Sequence, residues 1–269
     1  RADEIRARVD TVGADGKLLW TSDGRILTAP LTEKLLVPLL AKMTNFVPEA
    51  GIWLNTQRPE WNDANNALVG RGVSMVTAYY MRRYITFLTE LLSASKLTTV
   101  AVAQDVAALL DAVHAALADN ADALDGRISD TRRKSILDAL GTAGSDYRHA
   151  LYARGLSEEK CAVETARIVD FLGIARAYID HSIAANRRDD GLFHAYNLVS
   201  IGDDTIRIRR LYEMLEGQVA VLSSGWLSPA DASGLLDTIC NSALYRADQN
   251  SYMLYPDREL PRFLEKNNL

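Results

Sequence analysis

Ser74-Met75-Val76-Thr77-Ala78-Tyr79-Tyr80-Met81-Arg82-Arg83-Tyr84-Ile85-Thr86-Phe87-Leu88-Thr89-Glu90-Leu91-Leu92-Ser93-Ala94-Ser95 decides the fold class. Val76, Tyr79, Tyr80, Tyr84, Phe87, Leu88, Leu91 and Leu92 recur at steps of three and four, the spacing of one face of a 3.6-residue helix. A helix of five or six turns is expected here. Val100 to Ala118 repeats the pattern through Val102, Val106, Leu109, Leu110, Val113 and Leu117. Asp130 to Arg154 reads as a third long helix, with Gly141 and Gly144 as places where it can break. Ser157 with Glu158 and Glu159 has the form of an N-terminal capping signal, predicting a fourth helix to about Ala185.

Before this run, Ala2 to Val12 is a short amphipathic helix, and Lys17 to Thr21 with Arg25 to Ala29 form a hairpin about Ser22-Asp23-Gly24. Thr32 caps a helix to Met43 with Leu35, Leu36, Leu39 and Leu40 inward; Pro38 should kink or shorten it. Asn45 to Asn66 reads as loop. After the long helices, Leu192–Ile201 and Thr205–Arg209 form a hairpin about Gly202-Asp203-Asp204. Helices are expected over Tyr212 to Ser223 and Pro229 to Cys240, the latter capped by Ser228 with Pro229 at its first position. Tyr245 to Tyr255 is an aromatic loop or strand, and Pro261 starts a last short helix. No Gly/Ser/Pro linker divides the chain, so residues 1–269 are expected to form one mainly α domain of helical hairpins, with short β-hairpins and polar loops at one end.

Composition sets the outer limits. Apolar residues are 48% and charged residues 24%, ordinary for a globular protein with a sizeable core. A net charge of −5 argues against nucleic acid as a partner, and no apolar run approaches a membrane span. Cys161 and Cys240 read as two buried free thiols without metal-ligand spacing, with one disulfide as the alternative. The chain opens at Arg1 directly in an amphipathic pattern, so a piece of a longer protein is expected, cytoplasmic rather than secreted.

The chemistry concentrates in Gln57-Arg58-Pro59-Glu60-Trp61-Asn62-Asp63-Ala64-Asn65-Asn66-Ala67-Leu68-Val69-Gly70. This stretch has neither helical nor strand periodicity and sits at the mouth of the long helix, where loops carry function. Glu60 and Asp63 flank Trp61, and a carboxyl partly desolvated by an indole has its pKa raised toward that of a general acid. Gln57, Asn62, Asn65 and Asn66 offer paired donors and acceptors for hydroxyl-rich ligands; Trp53 and Trp61 offer flat faces for sugar C–H groups. The competing reading is an Asx-rich turn that caps the next helix. Glu213 and Glu216, one helical turn apart in Tyr212-Glu213-Met214-Leu215-Glu216-Gly217-Gln218, form a second acidic pair, or else only favourable charges at a helix start. In Phe193-His194-Ala195-Tyr196-Asn197, alternation puts His194 and Tyr196 on one face. Arg246 and Asp248 are a candidate ion pair in an aromatic loop. Phosphate-binding Gly-rich loops, nucleophile elbows, His/Cys metal sets and dinucleotide fingerprints are absent from the sequence.

Arg58-Pro-Glu-Trp-Asn-Asp-Ala-Asn-Asn resembles the acid-bearing loop of trehalase-like six-hairpin glycosidases, the (α/α)6-toroid group that also holds processing α-glucosidases, glucoamylases and the glucosidase half of glycogen-debranching enzymes. The late segment Tyr212 to Gln218 is similar in chain order to the one carrying their base. The resemblance implies Asp63 as general acid, with Glu60 the substitute because the loop reads Trp-Asn-Asp rather than Gly-Trp-Asp. It implies Glu213 or Glu216 as the base that activates water. Arg58, Trp53, Trp61, Asn62, Asn65, Asn66, His194, Tyr196, Gln218 and Arg246 would bind an oligosaccharide or glycoside, with no metal or cofactor. Such enzymes invert stereochemistry across carboxyls about 6.5–9.5 Å apart. Eight or nine helices are countable where a closed toroid has twelve, so a partial ring is expected. Phosphorylase or epimerase chemistry on the same fold, and a non-catalytic helical scaffold binding a glycan or protein, are the alternatives.

Overall fold

The computed structural model describes residues 2–54, 70–257 and 261–266. The protein is 57% helical, with nine α-helices among the described residues, and it also carries a curled five-stranded antiparallel sheet. In chain order the elements are α1 (Ala2–Val12), α2 (Leu31–Met43), β1 (Phe46–Val47), β2 (Gly51–Trp53), β3 (Gly72–Ser74), α3 (Met75–Ala94), β4 (Thr99–Ala103), α4 (Gln104–Ala118), α5 (Asp130–Arg154), β5 (Lys160–Glu164), α6 (Thr165–Ala185), β6 (Tyr196–Ile201), β7 (Ile206–Arg210), α7 (Leu215–Ser223), α8 (Pro229–Cys240), β8 (Tyr245–Arg246), β9 (Ser251–Tyr252) and α9 (Phe263–Lys266). No described helix is long and apolar enough to cross a membrane.

The mainly α reading holds, with corrections at element starts. Val100 and Val102 belong to β4, not to the helix that follows; β4 pairs with β5 in a separate two-stranded sheet. That pairing joins segments some sixty residues apart, which local periodicity does not see. The Ser157 signal likewise starts no helix. Ser157 Oγ accepts from Glu159 N two residues on, Glu158 accepts from Ser22 N, and α6 begins only at Thr165 after β5. The expected hairpin at residues 17–29 reduces to one bridge, Trp20 with Ile26.

Two helices run through residues that ordinarily break them. Pro38 lies inside α2 but on its exposed side, where the carbonyl it leaves unbonded can reach water. α5 continues unbroken through Gly141 and Gly144. At Gly144 a Cβ would stand 2.7 Å from the Thr44 Cβ, so glycine lets α5 lie against the end of α2. α3 starts on a Ser74 cap, whose hydroxyl accepts from Thr77 N. Its buried face is narrower than expected: Tyr79, Leu88 and Leu92 of the expected stripe are inside with Met75, Ala78 and Ile85, Val76 and Tyr84 pack partly buried on the core, and Tyr80, Phe87 and Leu91 are exposed. Arg82 also points inward because Asp180, at 2.5 Å, and the Ser224 carbonyl, at 2.9 Å, take its guanidinium. α3, α4, α6 and α7 enclose the main core with α2, where each fully buried Leu or Phe contributes about 1.5–3 kcal/mol.

The five-stranded sheet runs β1-β2-β3-β6-β7, every pair antiparallel. Gly51 opens β2 with φ +123, and a Cβ there would strike the Ser74 backbone at 2.6 Å, so only glycine admits this crossing. Alternation divides the sheet into two faces. Trp53, Val73, Asn197, Val199 and Ile208 share the face that packs on α5 through Leu137. Leu54, Tyr196 and Leu198 lie on the other face, with Leu211, Tyr212 and Met214.

Candidate functional site

The second face carries the acidic chemistry within the described residues. β7 ends at Arg210, and the chain crosses in extended form through Met214 (φ −139, ψ 144) into α7. Glu213 is therefore outside the helix, and the one-turn spacing expected to align it with Glu216 does not apply. The two side chains have separate environments. Glu213 accepts an ion pair from Arg188 at 3.1 Å and lines a cavity of about 420 Å3 with Asp190, Asp237, Thr238 and Asn241. Arg188 also grips Asp190, at 2.7 Å, which holds the Asp190 carboxyl below the usual range despite partial burial. Glu216 is in the first turn of α7, where unpaired N–H groups favour a negative charge. The Tyr196 hydroxyl donates to its Oε2 at 2.5 Å, and burial followed by this bond pushes the Tyr196 pKa up. Among the described residues Glu216 Oε1 has no hydrogen bond.

His194 is half-buried and heavily tethered. Its N–H donates to the Asn186 carbonyl, its carbonyl accepts from Tyr79 Oη at 2.9 Å, and its ring Nδ1 bonds the Leu211 carbonyl at 2.9 Å. A carbonyl only accepts, so Nδ1 carries the proton, and Nε2, the basic nitrogen, has no hydrogen bond among the described residues. Desolvation first, then the Arg210 and Arg188 charges, lower its pKa from 6.5 to about 4, so the ring is neutral at neutral pH. Gln218 is fully buried and spends its amide on both backbone groups of Phe193 and on the Met214 carbonyl; it clamps the β6 approach rather than facing a ligand. The face's rim is aromatic. Tyr212 meets Tyr255 edge to face at 6.4 Å, while the Leu254 carbonyl accepts from Leu215 N at the start of α7.

Trp53 is not part of this arrangement. It is on the α5 face, lining a cavity of about 720 Å3 with Asn45, Lys134, Asp138, Ser145 and Arg148. Arg246 pairs with Asp248 at 2.7 Å on the β8–β9 hairpin. Cys161 and Cys240 are free, as expected, but neither is buried: Cys161 is partly buried and Cys240 exposed. Arg58, Glu60, Trp61, Asn62, Asp63, Asn65 and Asn66 lie outside the described residues. What the structure gives is the seat of their segment. Leu54, just before it, donates its N–H to the Gly72 carbonyl just after it, at 2.9 Å, and packs in the cluster of Tyr196 and Met214.

The role of Arg188 and the Tyr212–Tyr255 pair were not expected from the sequence. Arg187-Arg188 followed directly by Asp189-Asp190 sets two cations beside two carboxylates, and that was the available signal. No family model matches this chain, and no curated protein matches it.

Proposed function

We propose that the protein hydrolyses a glycosidic bond by inverting acid/base catalysis, with Glu216 activating water and Asp63 protonating the leaving group. The observation that carries this is the common seat of two segments. The acid-bearing stretch is rooted at Leu54 in the cluster that holds Tyr196, and Tyr196 grips Glu216.

Glu216 has the features of a base. One carboxylate oxygen is fixed by a phenol, the other is without a partner among the described residues, and the group sits in the first turn of α7. Glu213 is committed to its ion pair with Arg188 and serves to position that guanidinium. Neutral His194 and the Tyr212–Tyr255 pair supply the polar and apolar contacts that an oligosaccharide needs. Helical hairpins arranged as a complete or partial (α/α) toroid belong to the same reading.

The test is a panel of chromogenic glycosides and a glycan array, followed by NMR of the first-formed anomer. Turnover with inverted configuration is expected, lost in Asp63→Asn. Retained configuration would remove the water-activating role of Glu216. Glycan binding that survives Asp63→Asn, without turnover in the wild type, would make the protein a carbohydrate-binding scaffold.

A further inference from the structure

Arg133 and Arg210 lie in one buried polar network but use their guanidiniums differently. All five N–H groups of Arg133 are engaged: Nε with the Pro48 carbonyl, Nη1 with Asp130 and the Ile206 carbonyl, Nη2 with Glu49 at 2.5 Å and the Ile128 carbonyl. Arg210 engages three. Nη1 meets the Glu49 carbonyl and Asn186 Oδ1, and Nη2 meets the Ala185 carbonyl at 3.0 Å. Every one of these partners is neutral. Nε and one of the two Nη2 hydrogens have no acceptor among the described residues, and Nε and Nη2 are the two nitrogens of one edge of the guanidinium plane.

The surrounding charge does not balance Arg210. Glu49 is the carboxylate on the same wall, and it is already spent: Oε2 on Arg133 and Oε1 on Ile128 N at 3.0 Å. Arg127, exposed and with no hydrogen bond or ion pair among the described residues, stands close enough to repel the Arg210 charge. These groups line a cavity of about 450 Å3 with Gly126, His181, Ala184 and Ala185. His181 Nε2 donates to the Gly126 carbonyl at 2.8 Å, fixing the turn that presents Arg127. The cavity is within the size range of small-molecule sites and carries two guanidiniums against a carboxylate already committed to a third.

We infer that this cavity binds a phosphate oxyanion, either free phosphate or the phosphoryl group of a small metabolite, on the free edge of Arg210 with Arg127 as second cation. A planar guanidinium edge matches two oxyanion oxygens at once, which a lone ammonium does not. The site is separate from Glu216 and independent of the reaction proposed above.

The test is isothermal titration of the full chain at constant ionic strength with inorganic phosphate, a hexose 6-phosphate and, as control, acetate. Saturable phosphate or hexose-phosphate binding at Kd near or below ~1 mM is expected, at least tenfold weaker in Arg127→Ala and partly restored in Arg127→Lys. Tighter binding of the hexose phosphate than of inorganic phosphate would identify the metabolite as the source, and the reverse order the free ion. Glu216→Gln should bind equally well. No saturation, equal response to acetate, an unchanged Arg127→Ala or a loss in Glu216→Gln would each overturn the assignment.

Discussion

The two faces of the five-stranded sheet hold polar clusters of opposite design. On the α5 face, Glu49 and Arg133 are almost wholly buried, and the guanidinium has a partner for every hydrogen. On the other face, Tyr196 grips one oxygen of Glu216, and the second has no hydrogen bond among the described residues, at the edge of an aromatic rim. The saturated Arg133 guanidinium, unlike that of Arg210 beside it, has nothing left to offer a ligand and serves to fix the β1–β2 turn, where Glu49 has φ +61. A half-used carboxylate on a rigid seat is where chemistry can be done. The difference separates scaffold from site without reference to any relative.

The largest expected effect breaks the first cluster. Arg133→Met strands the Glu49 carboxylate in the core and should cost about 3–5 kcal/mol by urea denaturation. Adding Glu49→Gln should recover part of that loss, because an amide is cheaper to bury alone than a charge. A single variant within ~1 kcal/mol of wild type would mean that water reaches the pair.

A smaller effect is expected on the open face. Tyr196→Phe removes one bond to a partly exposed carboxylate, so stability should fall by only ~1 kcal/mol. Turnover should drop roughly tenfold, the equivalent of one orienting hydrogen bond. Loss of stability with unchanged turnover would place Tyr196 in the scaffold instead.

The smallest effect concerns pH. Desolvation chiefly lowers the His194 pKa to about 4 from 6.5, so between these values the unfolded chain binds the extra proton. The contribution of this group is complete above pH 6.5 and is lost as pH falls toward 4. His194→Asn, which keeps a donor for the Leu211 carbonyl, should flatten the fall in melting temperature over that window. An unchanged slope would assign it to other groups.

The sequence made the helices legible where their own residues decide them. Ser228 caps α8 with Pro229 in its first turn, as expected, but Thr32 caps nothing: α2 begins at Leu31 after Pro30, with no side-chain cap. It failed where a distant strand takes over, as at Val102, which pairs with Cys161. The candidate site was legible as residue types and not as faces. Trp53 and Leu54 are neighbours in sequence but point to opposite sides of the sheet, so the aromatic residue that looked like a sugar platform faces α5. Glu213 and Glu216 looked alike until the position of the helix start separated them.

Steady-state hydrolysis of the best chromogenic glycoside by Glu216→Gln and Glu213→Gln, both confirmed as folded, tests the central claim most directly. Glu216→Gln should lose on the order of 10²–10⁴ in kcat, the usual contribution of a general base, while Glu213→Gln loses no more than about tenfold. Equal rates for wild type and Glu216→Gln would contradict the account.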